Sequence, residues 1–286
     1  FTPGETVTVT ITAAQVADQD GTPDNMASSK VFSFTIVNTG PVCDQTFTPI
    51  YQIQGSGTSA AITGNVTTEG VVVGDFQTSA GVQGFYIQDP TGDADAATSD
   101  GLFVFTGTTD NTVSAGDSVR VTGYARERFS QTTLNGSDSN TAVVPAANIL
   151  NCGTGSVTAV DVTMPFASTT FPERYEGMLV RFPQTLVIAE YFNYDQFGEI
   201  VLALPLDGED RPFTPTAIDE PGAPAIARAA ANAVRRITLD DNQGGSNPVS
   251  LRHPNGNPFT LANLFRGGDE VANATGVLGY DFNLYR

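Results

Sequence analysis

The stretch Gly84–Phe105, GFYIQDPTGDADAATSDGLFVF, sets two apolar runs, GFYIQ and GLFVF, on either side of a loop carrying Asp89, Asp93, Asp95 and Asp100. Short apolar runs rich in Phe, Val and Ile and bounded by Gly, Pro and Asp read as buried β-strands. Working outward, Ile50–Ile53, NVTTEGVVVGDF (Asn65–Phe76) and DSVRVTGYARERF (Asp117–Phe129) add three more runs, with glycine-bearing turns between them. Five strands of this length predict a small closed barrel of the OB type.

Abundant Thr, Ser, Gly, Val and Phe, with helical periodicity in one stretch only, extends that reading to an all-β chain. With 286 residues there is room for more than one core. The net charge of -18 repels phosphate backbones and anionic lipid, and disfavours nucleic-acid binding by bulk charge. The imbalance is uneven. Before Arg120 the only cation is Lys30, so the first part is the expected cation binder. No apolar run is long enough to span a bilayer. The chain opens on Phe rather than on Met and a signal segment, and reads as a mature or excised piece.

Three domains are expected. Residues 1–40 hold TVTVTITA and KVFSFTIV, two alternating strands resembling the end of a bacterial immunoglobulin-like domain. Residues 41–152 are the OB-like barrel, entered through the linker NTGPVC, and 153–286 form a second OB-like β-domain. In the second, EGMLVRF echoes EGVVVGDF, and GDEVANATGVLGY echoes GDSVRVTGYARERF, as in a duplicated barrel. APAIARAAANAVRRI (Ala223–Ile237) predicts one short helix, with Pro224 in its first turn. Cys43 and Cys152 flank the first barrel, whose ends should lie together; a bridge is expected, the alternative being two buried free thiols.

Six motifs occur in a fixed order: CDQTFTPIYQIQGSG, EGVVVGDF, GFYIQDP with TSDGLFVF, ERYEGMLVRF, ITLDD and GDEV…TGVLGY. Together they resemble the noncatalytic region of bacterial extracellular ExeM/NucH-type endonucleases, from about Pro41 to Arg286. The resemblance implies an OB-like, YhcR-like domain and a second β-region. It also implies a downstream catalytic domain of the endonuclease/exonuclease/phosphatase type, beginning after the GYDFNLYR strand. Metal-dependent phosphodiester cleavage needs converging carboxylates and histidines, whereas His253 is the one histidine and sits in the turn-like RHPNGNP. No catalytic residues are therefore expected in this chain.

Several clusters remain candidates. Asp89, Asp93, Asp95 and Asp100 resemble a calcium loop without the EF-hand register, the alternative being a solvated loop whose aspartates cap turns. Tyr124, Arg126 and Arg128 share one face of a strand and could contact single-stranded DNA weakly; alternatively, the arginines pair with nearby acids. Asp240 and Asp241 stand at a strand end as turn caps or metal ligands. PFASTTFPERYEGM, with Glu173, Arg174 and Glu176, reads as a linker with surface ion pairs. Asn65, Asn135 and Asn273 open glycosylation sequons.

Two functions compete. One is a secreted, noncatalytic scaffold of a nuclease-like protein, binding Ca²⁺ and guiding DNA. The other is an extracellular surface or filament-forming protein, a homo-oligomer built by strand sharing through the unpaired N-terminal strands. A carbohydrate-binding module finds little support, since there is no Trp and no aromatic platform signature.

Overall fold

The computed structural model describes residues 5–36, 42–43, 45–77, 81–108, 111–243 and 245–286. The chain divides into two units, Phe1–Val42 and Cys43–Arg286. Of the predicted linker, Asn38–Pro41 lie outside the described residues.

In the first unit, Thr6–Ile11 (β1) and Lys30–Thr35 (β2) pair antiparallel, Val7 opposite Phe34 and Val9 opposite Phe32. The two-residue period of a strand gathers these four side chains on one face. On the other face, the Thr8 and Ser33 hydroxyls meet at 2.9 Å. The apolar face lies open, with Phe32 51% exposed.

The second unit contains the predicted barrel. Its strands are Gly64–Phe76 (β3), Gly84–Gln88 (β4), Gly101–Phe105 (β5), Asp117–Arg128 (β6) and Gln131–Asn135 (β7). They bond in the order β3–β4–β5–β7–β6, and β6 returns to β3 to close the ring. All pairs are antiparallel except β5 with β7, an arrangement that fits an OB barrel. Ile149–Thr154 (β8) adds to β6 outside the ring.

One predicted strand is corrected. Ile50–Ile53 lies in a one-turn helix, Ile50–Gln54 (α1), entered from Pro49 and ended by Gly55 at φ +71°. Ile50 and Ile53, one turn apart, are both fully buried in the barrel core. A four-residue apolar run is too short for its period to distinguish strand from helix. The fifth strand is β7, QTTLN, whose buried side chains are mostly polar.

Cys43 and Cys152 form the expected disulfide, with 5.8 Å between their Cα atoms. It ties the chain entering the barrel to β8.

The second half carries the strands Val160–Asp161 (β9), Leu179–Phe182 (β10), Leu186–Glu190 (β11), Ile200–Ala203 (β12), Arg236–Leu239 (β13), Glu270–Val271 (β14) and Ala274–Val277 (β15). Its helices are Tyr194–Phe197 (α2), Pro215–Ile218 (α3) and Ala223–Ala233 (α4). The order β13–β12–β11–β14 repeats β5–β4–β3–β6, and β10 pairs with β15 as β3 does with β6. The segments that echo one another in sequence thus hold the same partnership. Among the described residues no strand closes onto β13 as β7 closes onto β5, so this second sheet system stays open around its own core. Pro183, which lacks an N–H, falls in the break between β10 and β11.

The predicted helix ends four residues early, because Arg236–Leu239 pairs with β12 instead. GYDFNLYR, expected as one strand, is a hairpin: Tyr280–Asp281 (β16) turns through Phe282 and Asn283 into Leu284–Tyr285 (β17).

The two halves meet backbone to backbone. A Cβ on Gly101 would lie 2.2 Å from the Gly177 carbonyl carbon. Across this contact the Thr132 N–H donates to Glu176 Oε1 at 2.8 Å and the Leu179 N–H to Gln88 Oε1 at 2.8 Å, while Ser99 Oγ donates to the Glu176 carbonyl at 2.6 Å.

Two stability outcomes follow from this architecture. Gly101→Ala overpacks the contact and should cost roughly 1–3 kcal/mol, read as a lower urea midpoint. Replacing both cysteines by serine releases a loop with a sequence separation of 109. On a chain-entropy argument that costs about 4–5 kcal/mol, measurable on the same urea axis.

Candidate functional site

The aspartate loop between β4 and β5 is bonded to itself. Asp89 Oδ1 accepts the N–H groups of Thr91 (2.8 Å) and Gly92 (3.1 Å), Asp93 Oδ1 that of Asp95 (2.9 Å), and Asp95 Oδ1 that of Ala97 (2.9 Å). These are the turn caps that Asp forms readily. Asp100 differs: it packs against Gly92, where a Cβ would come within 2.4 Å of Oδ2, and its Oδ1 is buried without a partner. Burial, reinforced by the charges of Asp93 and Asp89, pushes its carboxyl up to about 6. Among the described residues no three His, Cys, Asp or Glu side chains group as a metal site. The carboxylates as they stand serve their own loop.

On β6 the alternation places Tyr124, Arg126 and Arg128 half-buried on the outer face. Both arginines have partners. Arg126 pairs with Asp138 at 3.3 Å. Arg128 Nε donates to the Asn140 carbonyl at 2.9 Å, and its guanidinium lies 3.9 Å from the centre of the Phe105 ring. Arg120, which no motif singled out, is buried with Glu69 and the carbonyls of Gln45 and Thr46, pinning the chain that enters α1.

The ERYEGM segment corrects the expected surface ion pairs. Glu176 is 1% exposed, and burial, then the charges of Glu173 and Glu127, raise its carboxyl well above the usual range. The close approach at Gly177 draws it into the contact between the two halves. Glu173 accepts from the Tyr285 hydroxyl at 2.7 Å, and Arg174 donates to the Ala96 carbonyl at 3.1 Å. Of the sequons, Asn65 and Asn273 are exposed whereas Asn135 is fully buried.

A cleft of about 660 Å³ lies between the barrel and the second half. Phe76 and Tyr86 from the barrel line it, as do Phe197 at the end of α2 and Phe282 from the hairpin turn. Arg286 also lines it, its Nη1 donating to Glu199 Oε1 at 2.9 Å and to Asp240 Oδ2. Glu199 Oε2 accepts from Asn193 (2.8 Å), and Asp240 Oδ1 from the Asn242 N–H (2.7 Å).

Asp241, the neighbour of Asp240, caps Gln243 through both side chain and backbone. His253 Nδ1 accepts the Asn255 N–H in its own turn, and its ring packs on Phe265. The acids and the histidine thus each have a structural partner, and the cleft is lined by aromatic and polar side chains. Its size and mixture of aromatic with a few polar groups suit a small molecule. Sequence reasoning met only Asp240 of this set. The remaining walls come from positions far apart in the chain, and GYDFNLYR, which supplies Asp281, Phe282, Leu284 and Arg286, read as a strand rather than as part of a site.

Compared with family models, curated proteins and solved structures, the chain matches none.

The raised Asp100 carboxyl has a defined sign. A group whose folded pKa lies above its unfolded value stabilises fully below the unfolded pKa, about 4, and that contribution is lost as pH rises through about 6. Asp100→Asn removes the titration. Its Tm should exceed that of the parent at pH 7, and the gap should close toward pH 4, followed by thermal melts across that range.

Proposed function

We propose that this chain is a noncatalytic binding and positioning region of a secreted nuclease-like protein, as its ordered motifs suggest. The observation that carries the reading is where those motifs lie. EGVVVGDF, GFYIQ and GLFVF are adjacent strands of one OB-like barrel, while ERYEGMLVRF and GDEV…TGVLGY form the paired edge that meets it. Such a block offers rigid support to a neighbouring domain. The Cys43–Cys152 disulfide supports an oxidising compartment, and no helix among the described residues is long and apolar enough to cross a membrane.

DNA contact in this reading is weak and strongly salt-dependent, because Arg126 and Arg128 already have partners and the chain carries a charge of -18. Calcium is not required by it, since the aspartate loop caps itself.

The open apolar face of the β1–β2 hairpin favours a second reading, in which strands of another copy complete that sheet and the chain assembles. Sedimentation over a range of concentrations separates the two. The first reading expects no self-assembly, whereas the second expects oligomers that Phe32→Ser with Phe34→Ser disperses.

The direct test of the first reading is incubation with supercoiled plasmid in Mg²⁺ and Ca²⁺. The plasmid should stay supercoiled. Nicking that survives purification and is lost in Asp240→Asn or His253→Ala would overturn the reading.

A further inference from the structure

Phe282 and Asn283 form the two-residue turn of the β16–β17 hairpin, with φ +48° and +62°. Such a turn needs left-handed backbone at both positions and is filled at least cost by Asn, Asp or Gly. A bulky aromatic there is strained, and strain of this kind persists where the side chain has a use. The Phe282 ring is 78% exposed, lines the 660 Å³ cleft, and lies 5.6 Å from the Arg286 guanidinium. Phe197, 37% exposed, presents a second ring to the same space.

The polar lining narrows the ligand. Glu199, Asp240 and Asp281 outnumber Arg286, whose charge is already taken up by the first two. A phosphate or carboxylate ligand would meet net repulsion there. Beside the acids stand the amides of Asn193 and Gln243, which donate within the protein, to Glu199 and to Asp241 with the Ser250 carbonyl, and present their side-chain oxygens as acceptors. Exposed rings offer stacking to a flat C–H face, and amides with carboxylates offer hydrogen bonds to hydroxyls. The excess of carboxylates tolerates an ammonium but not an anion.

We propose that the cleft binds a sugar ring, neutral or amine-bearing, of a non-anionic glycan. The chain has no Trp to announce such a platform; the ring is supplied instead by a turn residue. This assignment goes beyond the nuclease-like reading and does not rest on it, and plasmid nicking tests that reading separately.

The experiment is isothermal titration of the 286-residue chain with three probes: β-1,4-linked oligomers of glucosamine, of N-acetylglucosamine, and of a uronic acid. The first two should bind, and the uronate at least tenfold more weakly. Phe282→Gly relaxes the turn, so its melting temperature should hold or rise while its affinity for the first two falls at least tenfold; Phe282→Tyr should keep the affinity. That opposite movement of stability and binding is not expected of a merely structural ring. The proposal is overturned if neither of the first two oligomers binds at millimolar concentration or if Phe282→Gly binds as the parent does. Oligolysine displacing the glucosamine oligomer with equal affinity would also overturn it, since the cleft would then read charge and not the ring.

Discussion

At Gly101 the backbone of β5 meets the backbone of Gly177 with no side chain between them, and the joint between the barrel and the second half is built on that approach. Any Cβ would separate the two chains, and the polar bonds beside them would lose their reach. Those bonds are buried, where an unmade hydrogen bond costs about 1–3 kcal/mol. Thr132 and Leu179 give their N–H groups across the contact, and Glu176 is carried into it with only one carboxylate oxygen bonded. A buried acid is tolerable there because its carboxyl is pushed toward the neutral form. The contact thereby joins a closed barrel to a sheet system that cannot close by itself.

The cleft is a consequence of that union. Its walls are the outer barrel face at Phe76 and Tyr86, the end of α2, and the final hairpin, none of which makes a cavity alone. Tyr86 accepts a hydrogen bond from Gln131 within the barrel at 3.1 Å, and its hydroxyl lies against Gly279 of the second half, where a Cβ would come within 2.6 Å of it, so the cleft wall and the joint share a residue. Arg286 holds Glu199 and Asp240 together and keeps two nearby carboxylates from repelling one another. The same charges that make the cleft hostile to anions are thus part of what shapes it.

Strands β3 to β6 were legible in the sequence because their apolar runs are long enough, or alternate clearly enough, to reveal a period of two. The strand β7 was not, because QTTLN buries polar groups that find distant partners: the Gln131 side chain at Tyr86, and the Thr132 backbone N–H at Glu176. Local pattern cannot register a bond to residue 176. For the same reason Glu176 read as a surface charge, whereas Ile50–Ile53 read as a strand because so short an apolar run shows no period. The disulfide was legible because it follows from topology, the two ends of a closed barrel lying together. The aspartate loop drew attention since its charges are adjacent in sequence, yet it spends most of its carboxylates on its own turns. The cleft, assembled from residues between positions 76 and 286, left almost no local trace.

Amide hydrogen exchange at Thr132 and Leu179 tests most directly whether barrel and second half are one cooperative body. Both N–H groups donate to side chains across the contact, to Glu176 and Gln88, and neither bond survives separation of the halves. The account predicts protection equal to that of barrel-core amides such as Val104 and Val121, because only global unfolding would expose them. Exchange at these two sites orders of magnitude faster than in the barrel core would show the halves parting independently, and would contradict it.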